Sequence, residues 1–116
     1  MKKILIVDDD DDILDIVKHL LTSHGFNVQT HSTGLNVPEV VTDYNPNLIL
    51  LDICLPGKSG TEICKELKQL YSDIRIILFS AQPPQGRSSD TSDAEAFIKK
   101  PFDAKNLVNT VRWYMN

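Results

Sequence analysis

The segment NLILLDICLPG, residues 47–57, decides the fold of this chain. Four consecutive apolar residues, Leu48 to Leu51, precede a single carboxylate, Asp52, and such a run is typical of a strand that is buried on both faces of a sheet. A Pro-Gly pair then turns the chain. Asp52 is therefore predicted to lie where the chain leaves a sheet. Alone, an aspartate at this position more often caps a helix or forms a turn.

A second apolar run is also followed by acidic residues. Ile4 to Val7 is followed by five consecutive aspartates, Asp8 to Asp12. The pattern predicts another buried strand, with Asp8 and Asp9 at its end. The last three aspartates are equally well explained as the start of an acidic helix, where negative charge is favourable to the helix dipole.

Composition limits the function classes. At 116 residues the chain is expected to form one domain, residues 1–116, with no output domain. Its net charge is -4 and its densest charge cluster is acidic, which argues against direct binding of nucleic acid.

Localisation and redox state can also be predicted. The apolar runs are far shorter than the roughly 20 residues that span a bilayer, and the start of the chain has no signal-peptide pattern. We therefore expect a cytoplasmic protein with no membrane partner. Cys54 and Cys64 do not have the spacing of a redox pair or a zinc site, so we expect reduced thiols.

Periodicity predicts the remaining elements. Strands are expected over 26–31, 74–79 and 96–98, and helices over 13–21, 37–44, 59–70 and 103–115. The apolar stripes of the first and third helices include Ile16 and Leu70, respectively. Residues 82–93 contain Pro83, Pro84 and Gly86 but no aliphatic or aromatic side chain, so a mobile loop or a short helical turn is expected there.

The alternation of strands and helices predicts an α/β fold, a single doubly wound five-stranded parallel sheet with helices on both faces. The first, third and fourth strands are apolar throughout and belong inside the sheet. The second alternates and the fifth is short, so both suit edges. The order 2-1-3-4-5 satisfies these patterns, whereas the Rossmann order would expose the Asp52 strand.

This order creates a crevice beyond the ends of the first and third strands, where ligands bind in such sheets. Asp8, Asp9 and Asp52 would meet there and repel each other unless a cation neutralises them, and oxygen ligands of this kind suit Mg²⁺. Ser80 and either Lys99 or Lys100 would reach the same region. A carboxylate nucleophile, a divalent cation, a hydroxyl and an ammonium are the groups that phosphoryl transfer requires. In isolation, Ser80 is better explained as a strand-end hydroxyl and the lysine as part of a solvated turn.

Four motifs in order carry a resemblance to a known family: Asp8-Asp9, Asp52 before its Pro-Gly turn, Ser80-Ala81, and Lys100-Pro101-Phe102. The chain resembles the receiver domain of two-component response regulators over almost its whole length.

The resemblance implies that Asp52 accepts a phosphoryl group from a phosphohistidine on a sensor histidine kinase or a phosphotransfer protein. It implies that Asp9, Asp52 and the Cys54 carbonyl bind Mg²⁺ directly, with Asp8 assisting through water. Ser80 and Lys100 would contact the phosphoryl oxygens.

By the same resemblance, Ser80 and Phe97 would be the switch residues, while Cys54 and Gln82 would flank the path of the water in dephosphorylation. Phosphoryl transfer and autodephosphorylation would be self-catalysed, without metabolic enzyme activity. The chain departs from the family at residues 82–93, where the fourth helix is expected to be degenerate or missing. For this reason no output partner is predicted.

Four alternatives remain to be weighed. A calcium loop would require Gly and Glu where Ile13 and His19 stand. An aspartyl-nucleophile phosphohydrolase would place a second acid at Cys54. A flavin module would need a phosphate loop where the aspartates lie. An interaction module that works without phosphorylation remains open.

Overall fold

The computed structural model describes residues 2–81 and 94–115. Strands and helices alternate over residues 3–80, as the apolar periodicity predicts, and a further strand and helix follow within residues 94–115. The elements are β1 (Lys3–Val7), α1 (Asp11–Ser23), β2 (Asn27–His31), α2 (Val37–Tyr44), β3 (Leu48–Asp52), α3 (Gly60–Leu70), β4 (Arg75–Ser80), β5 (Ala96–Lys99) and α4 (Ala104–Met115).

The five strands form one parallel sheet in the order β2-β1-β3-β4-β5. This is the predicted order, with the alternating strand and the short strand at the two edges. The register aligns Val7 with Leu51, and Asp52 with Phe79. The carboxyl ends of β1, β3 and β4 therefore lie side by side.

Side chains of the central strands alternate between two separate cores. Ile4 and Ile6 of β1, with Leu48 and Leu50 of β3, pack against α1 and α4. The residues between them, such as Leu5 and Ile49, pack on the opposite face against α2 and α3. The apolar residues Ile4 to Val7 and Leu48 to Leu51 are buried on both faces of the sheet, which explains why these runs show no alternation.

Polar side chains fix the starts of two helices. The Asp10 carboxylate accepts hydrogen bonds from the backbone N–H groups of Asp12 and Ile13, at 2.9 and 3.4 Å. It therefore caps α1, as the helix-start interpretation of the acidic run predicts. Ser59 is the predicted N-cap of α3, and its hydroxyl accepts a hydrogen bond from the Glu62 N–H at 3.3 Å.

Two residues of the predicted apolar stripes are exposed instead of buried. More than half of the Ile16 side chain is exposed, because the buried side of α1 is the narrower row of Leu14, Val17 and Leu21. Leu70 is exposed to a similar degree. It is the last residue of α3 and lines an open cavity of about 480 Å³ beside the turn to β4.

The predicted mobile loop and the degenerate fourth helix both fall on residues 82–93, which lie outside the described residues. Within 2–81 and 94–115, no helix combines the length and apolar character needed to cross a bilayer.

Candidate functional site

The alternation of side chains along the strands brings the site together. Asp8 continues the row of Ile4 and Ile6, and Asp52 continues the row of Leu48 and Leu50, on the face that packs against α1 and α4. Because side chains two residues apart point to the same face of a strand, both carboxylates emerge on that face at the carboxyl edge.

Three of the predicted acids converge at this edge. Carboxylate oxygens of Asp8, Asp9 and Asp52 lie within 4.8 Å of one another. Asp8 is fully buried, Asp52 is 4% exposed, and Asp9 is exposed. A cavity of about 350 Å³ opens above them and is also lined by Asp10, Cys54, Ser80, Ala81 and Lys100. These residues include the predicted acids, hydroxyl and ammonium.

Lys100 is the lysine that reaches the acids, which resolves the choice between Lys99 and Lys100. Its Nζ lies 2.6 Å from Oδ2 of Asp8 and 3.5 Å from Oδ2 of Asp52. Burial alone would lower the pKa of Lys100, but its hydrogen bond to Asp8 and the charges of both acids outweigh burial and raise that pKa. Lys100 therefore carries a positive charge at neutral pH.

Burial dominates the electrostatics of Asp52. Loss of solvation, followed by the negative charge of Asp8, raises the pKa of Asp52 to about 6. The Lys100 charge and a hydrogen bond from the Cys54 N–H to Oδ1, at 3.2 Å, act in the opposite direction. Asp52 is consequently ionised at neutral pH, and a further positive charge in the cavity would lower its pKa.

Cys54 and Ser80 form the wall of the cavity beside Asp52. The Cys54 Sγ lies 3.7 Å from the Ser80 Oγ. Phe97 is half-buried and packs against the core of α2 and α3, with Leu78 as its neighbour in register. It does not line the cavity. Gln82, the remaining predicted site residue, lies outside the described residues.

Gly60 supports the site and was not identified from the sequence. This first residue of α3 lies against the backbone of Asp52, and a Cβ at position 60 would come within 2.8 Å of the Ile53 Cα. Its N–H donates to the Ile53 carbonyl oxygen at 2.8 Å. A glycine just after a helix N-cap was the available signal, because glycine is unfavourable inside a helix unless close packing requires it.

Asp10 and Phe79 also support the site, and the sequence did not identify them as site residues. The Asp10 N–H donates to Asp8 Oδ1 at 2.9 Å, so the start of α1 orients the Asp8 carboxylate. The ring of Phe79 lies beneath the Lys100 ammonium, 4.6 Å from ring centroid to Nζ. Phe79 is paired with Asp52 in the register and so shares its face, which the uniformly apolar sequence of β4 does not reveal.

The donor set fits a hard divalent cation. All three acidic side chains offer oxygen, and two of them are buried with mutual repulsion that Lys100 only partly offsets. Mg²⁺ binds through one or two carboxylates, often with phosphate oxygens completing its shell. The site can therefore gather a cation, a carboxylate nucleophile and an ammonium around one phosphoryl group.

Solved structures of similar proteins have the same fold. A CheY-like response regulator receiver domain protein from Methanospirillum hungatei is 28% identical, with a TM-score of 0.91 over 99% of this chain and 94% of that one. The response regulator TrrA from Thermotoga maritima, in complex with Mg²⁺ and BeF, is 32% identical, with a TM-score of 0.88 over 98% and 99% of the two chains.

A third similar structure is the complex of histidine kinase ThkA with TrrA. Its matching chain is 30% identical, with a TM-score of 0.88 over the full length of both chains. The sequence model of the response regulator receiver domain matches residues 4–112. This match includes Asp8, Asp9, Asp52, Ser80 and Lys100. The chain belongs to the response regulator receiver domain family of two-component signalling.

Proposed function

We propose that Asp52 is the phosphoacceptor of a phosphorylation-dependent signalling switch. The observation that carries this proposal is the position of Asp52: a buried carboxylate, 3.5 Å from an ammonium and within 4.8 Å of two other acids, at the floor of an open cavity. The donor would be a phosphohistidine on a sensor histidine kinase or a phosphotransfer protein. The ThkA–TrrA complex supports a kinase as the partner class.

The proposed transfer step uses Asp52 as the nucleophile. A carboxylate oxygen of Asp52 attacks phosphorus, and the bond from phosphorus to the histidine nitrogen breaks. The electron pair stays on that nitrogen, which takes a proton from solvent. Lys100 would stabilise the equatorial phosphoryl oxygens. Because the pKa of Asp52 is about 6, the nucleophile is ionised at neutral pH.

Mg²⁺ is the proposed cofactor, and it would supply charge neutralisation for the acids and the phosphoryl oxygens. Asp9, Asp52 and the Cys54 carbonyl are proposed as direct ligands, with Asp8 contributing through water. The convergence of the three carboxylates supports this set. So does the presence of Mg²⁺ in the TrrA structure.

Ser80 and Phe97 are proposed to relay the phosphorylated state to the surface. Ser80 lines the cavity and Phe97 lies one strand away, beside Leu78. Cys54 and Gln82 are proposed to flank the water that removes the phosphoryl group. Since an amide orients water better than a thiol, Gln82→Ala should change the decay rate more than Cys54→Ala. These reactions are self-catalysed, and no metabolic substrate is proposed.

Three further predictions belong to this proposal. The sequence predicts a single receiver domain over residues 1–116, a cytoplasmic location and an output that does not involve direct nucleic acid binding. All three remain predictions.

The proposal is tested by labelling with purified histidine kinases and radioactive ATP, and separately with a radioactive small phosphodonor. Wild type should be labelled, whereas Asp52→Asn should not, because the amide is not a nucleophile. Asp11→Asn is the matched control, since it removes one charge from an exposed position in the acidic run. Unchanged labelling of Asp52→Asn would assign the phosphoryl group to another residue. Labelling of neither protein would favour the interaction module that works without phosphorylation.

A further inference from the structure

The Lys100 side chain has to cross a neighbouring strand to reach the site. Lys100 follows β5, Asp52 ends β3, and β4 lies between these two strands. The Lys100 N–H donates to the Ser80 carbonyl oxygen at 2.8 Å, which fixes its backbone beside the end of β4. In the register, Phe79 is paired with Asp52 on one side and with Ile98 on the other. The route from Lys100 to the acids therefore passes over Phe79.

The Phe79 ring forms the surface under that route. It lies 4.6 Å from ring centroid to Lys100 Nζ, within the range of a cation–π interaction. The ring is 1% exposed and belongs to the core that also contains Ile77 and Ile98. The Lys100 side chain is 15% exposed. Attraction between a cation and an aromatic face strengthens when water is excluded in this way.

We propose that Phe79 is a positioning residue, whose ring face holds the Lys100 ammonium over the cavity while the charges of the carboxylates change. The inference rests on the proposed function of Asp52. Both acids attract Lys100 before the reaction, but a divalent cation or a phosphoryl group on Asp52 alters that attraction. The quadrupole of the ring does not change when the carboxylates are neutralised. The ring thus keeps Lys100 within reach of the incoming phosphoryl oxygens.

The simpler alternative is that Phe79 only fills the core, since a buried aromatic side chain contributes to packing in any case. Substitution by leucine removes both volume and the aromatic face, so it cannot separate the two roles. Progressive fluorination of the ring nearly preserves its shape and weakens its negative face. Site-specific incorporation of mono-, di- and trifluorophenylalanine at position 79 therefore isolates the electrostatic contribution.

The first test measures thermal stability in a double-mutant cycle, without any phosphorylation. Trifluorophenylalanine at position 79 should lower the melting temperature by about 2–5 °C more in the protein with Lys100 than in Lys100→Met. The same ring placed at Phe26 or Phe102, which pack against the same core, should give equal shifts in both backgrounds. Equal shifts at position 79 would overturn the proposal and leave Phe79 as a packing residue.

The second test uses nuclear magnetic resonance on the wild-type protein. The Cε protons of Lys100 should be shifted upfield by the ring current, and this shift should disappear in Phe79→Leu. Identical Lys100 signals in the two proteins would overturn the proposal even if Lys100→Met did not fold.

The third test follows phosphorylation. The labelling rate should fall step by step across the fluorinated series, by about threefold to tenfold in total, and fluorination at Phe26 should leave it unchanged. A flat series would contradict the positioning role. If neither wild type nor any variant were labelled, the proposed function would be refuted instead. The positioning role would still be decided by the double-mutant cycle and the ring-current shift, because neither measurement depends on phosphorylation.

Discussion

Lys100 pairs more closely with Asp8 than with the proposed phosphoacceptor. Its Nζ is 2.6 Å from Asp8 Oδ2 and 3.5 Å from Asp52 Oδ2. Asp8 is fully buried and also accepts a hydrogen bond from the Asp10 N–H. Among residues 2–81 and 94–115, Lys100 is therefore the cation that pairs with the buried acids. A divalent cation entering the cavity competes with it for the same carboxylates.

Lys100→Met should strengthen Mg²⁺ binding while it weakens phosphorylation. Removing the ammonium leaves the acids less neutralised, so we expect the Mg²⁺ dissociation constant to fall by about threefold to tenfold. The labelling rate should fall because the phosphoryl oxygens lose their proposed contact with the ammonium. Calorimetric titration with Mg²⁺ and radioactive labelling measure the two effects.

Lys99→Met is the matched control for this experiment. It removes the same charge one residue earlier, from an exposed side chain. Both quantities should stay close to their wild-type values. Equal Mg²⁺ affinities in the Lys99 and Lys100 variants would show that Lys100 does not compete for the acids.

The raised pKa of Asp52 predicts how stability depends on pH in the presence of a chelator. Burial raises this pKa from 3.8 to about 6, so the folded state disfavours the ionised form. The neutral Asp52 carboxyl therefore stabilises the folded state in full at pH values below the pKa of Asp52 in the unfolded chain. This stabilisation is lost as the pH rises through about 6. Asp52→Asn should therefore be more stable than wild type at pH 7.5, by about 1–3 kcal/mol.

Urea unfolding between pH 4 and 8 checks this prediction. The difference between Asp52→Asn and wild type should grow between pH 4 and 6 and then stay constant. A constant difference over the whole range would mean that the folded state does not perturb Asp52.

The sequence was sufficient for the sheet order and for the convergence of the acids. Both depend on where apolar runs end, and the buried runs of β1 and β3 stop at Asp8 and Asp52. The exposure of Ile16 could not be predicted, because the apolar residues of α1 are more numerous than its buried row.

The supporting residues were harder to predict than the acids. The close contact of Gly60 with Asp52 depends on the path of the loop between β3 and α3, and the crossing of Lys100 over Phe79 depends on the register of β3, β4 and β5. Period-two patterns place a side chain on a face but do not specify which residue lies beside it on the next strand.

Mg²⁺ should raise the thermal stability of wild type, and Asp9→Ala should lose most of that gain. A ligand that binds only the folded state stabilises it by about 2.7 kcal/mol at a hundred times its dissociation constant. Asp9 is an exposed acid in the cluster of three. Its replacement thus removes a proposed metal ligand without opening the core.

Asp12→Ala is the comparison variant, because it removes an exposed acid from the same run. In melting curves, Mg²⁺ should raise the melting temperature of Asp12→Ala as much as that of wild type. The rise for Asp9→Ala should be much smaller. If the two variants gained equally, the cation would be bound elsewhere.

Gly60→Ala should damage both stability and phosphorylation. A methyl group at position 60 would collide with the backbone of Asp52 and Ile53, so α3 or the end of β3 has to move. The backbone cannot yield as a flexible side chain would, and we expect a loss of about 1–3 kcal/mol in the free energy of unfolding. Because the displaced backbone carries the proposed phosphoacceptor, the labelling rate should fall even under conditions where the variant is fully folded. Thr61→Ala, one residue further along the first turn of α3, serves as the control for a change in helix propensity. Urea unfolding and initial labelling rates would decide between the alternatives: wild-type values for Gly60→Ala in both measurements would mean that close packing of α3 on β3 does not position Asp52.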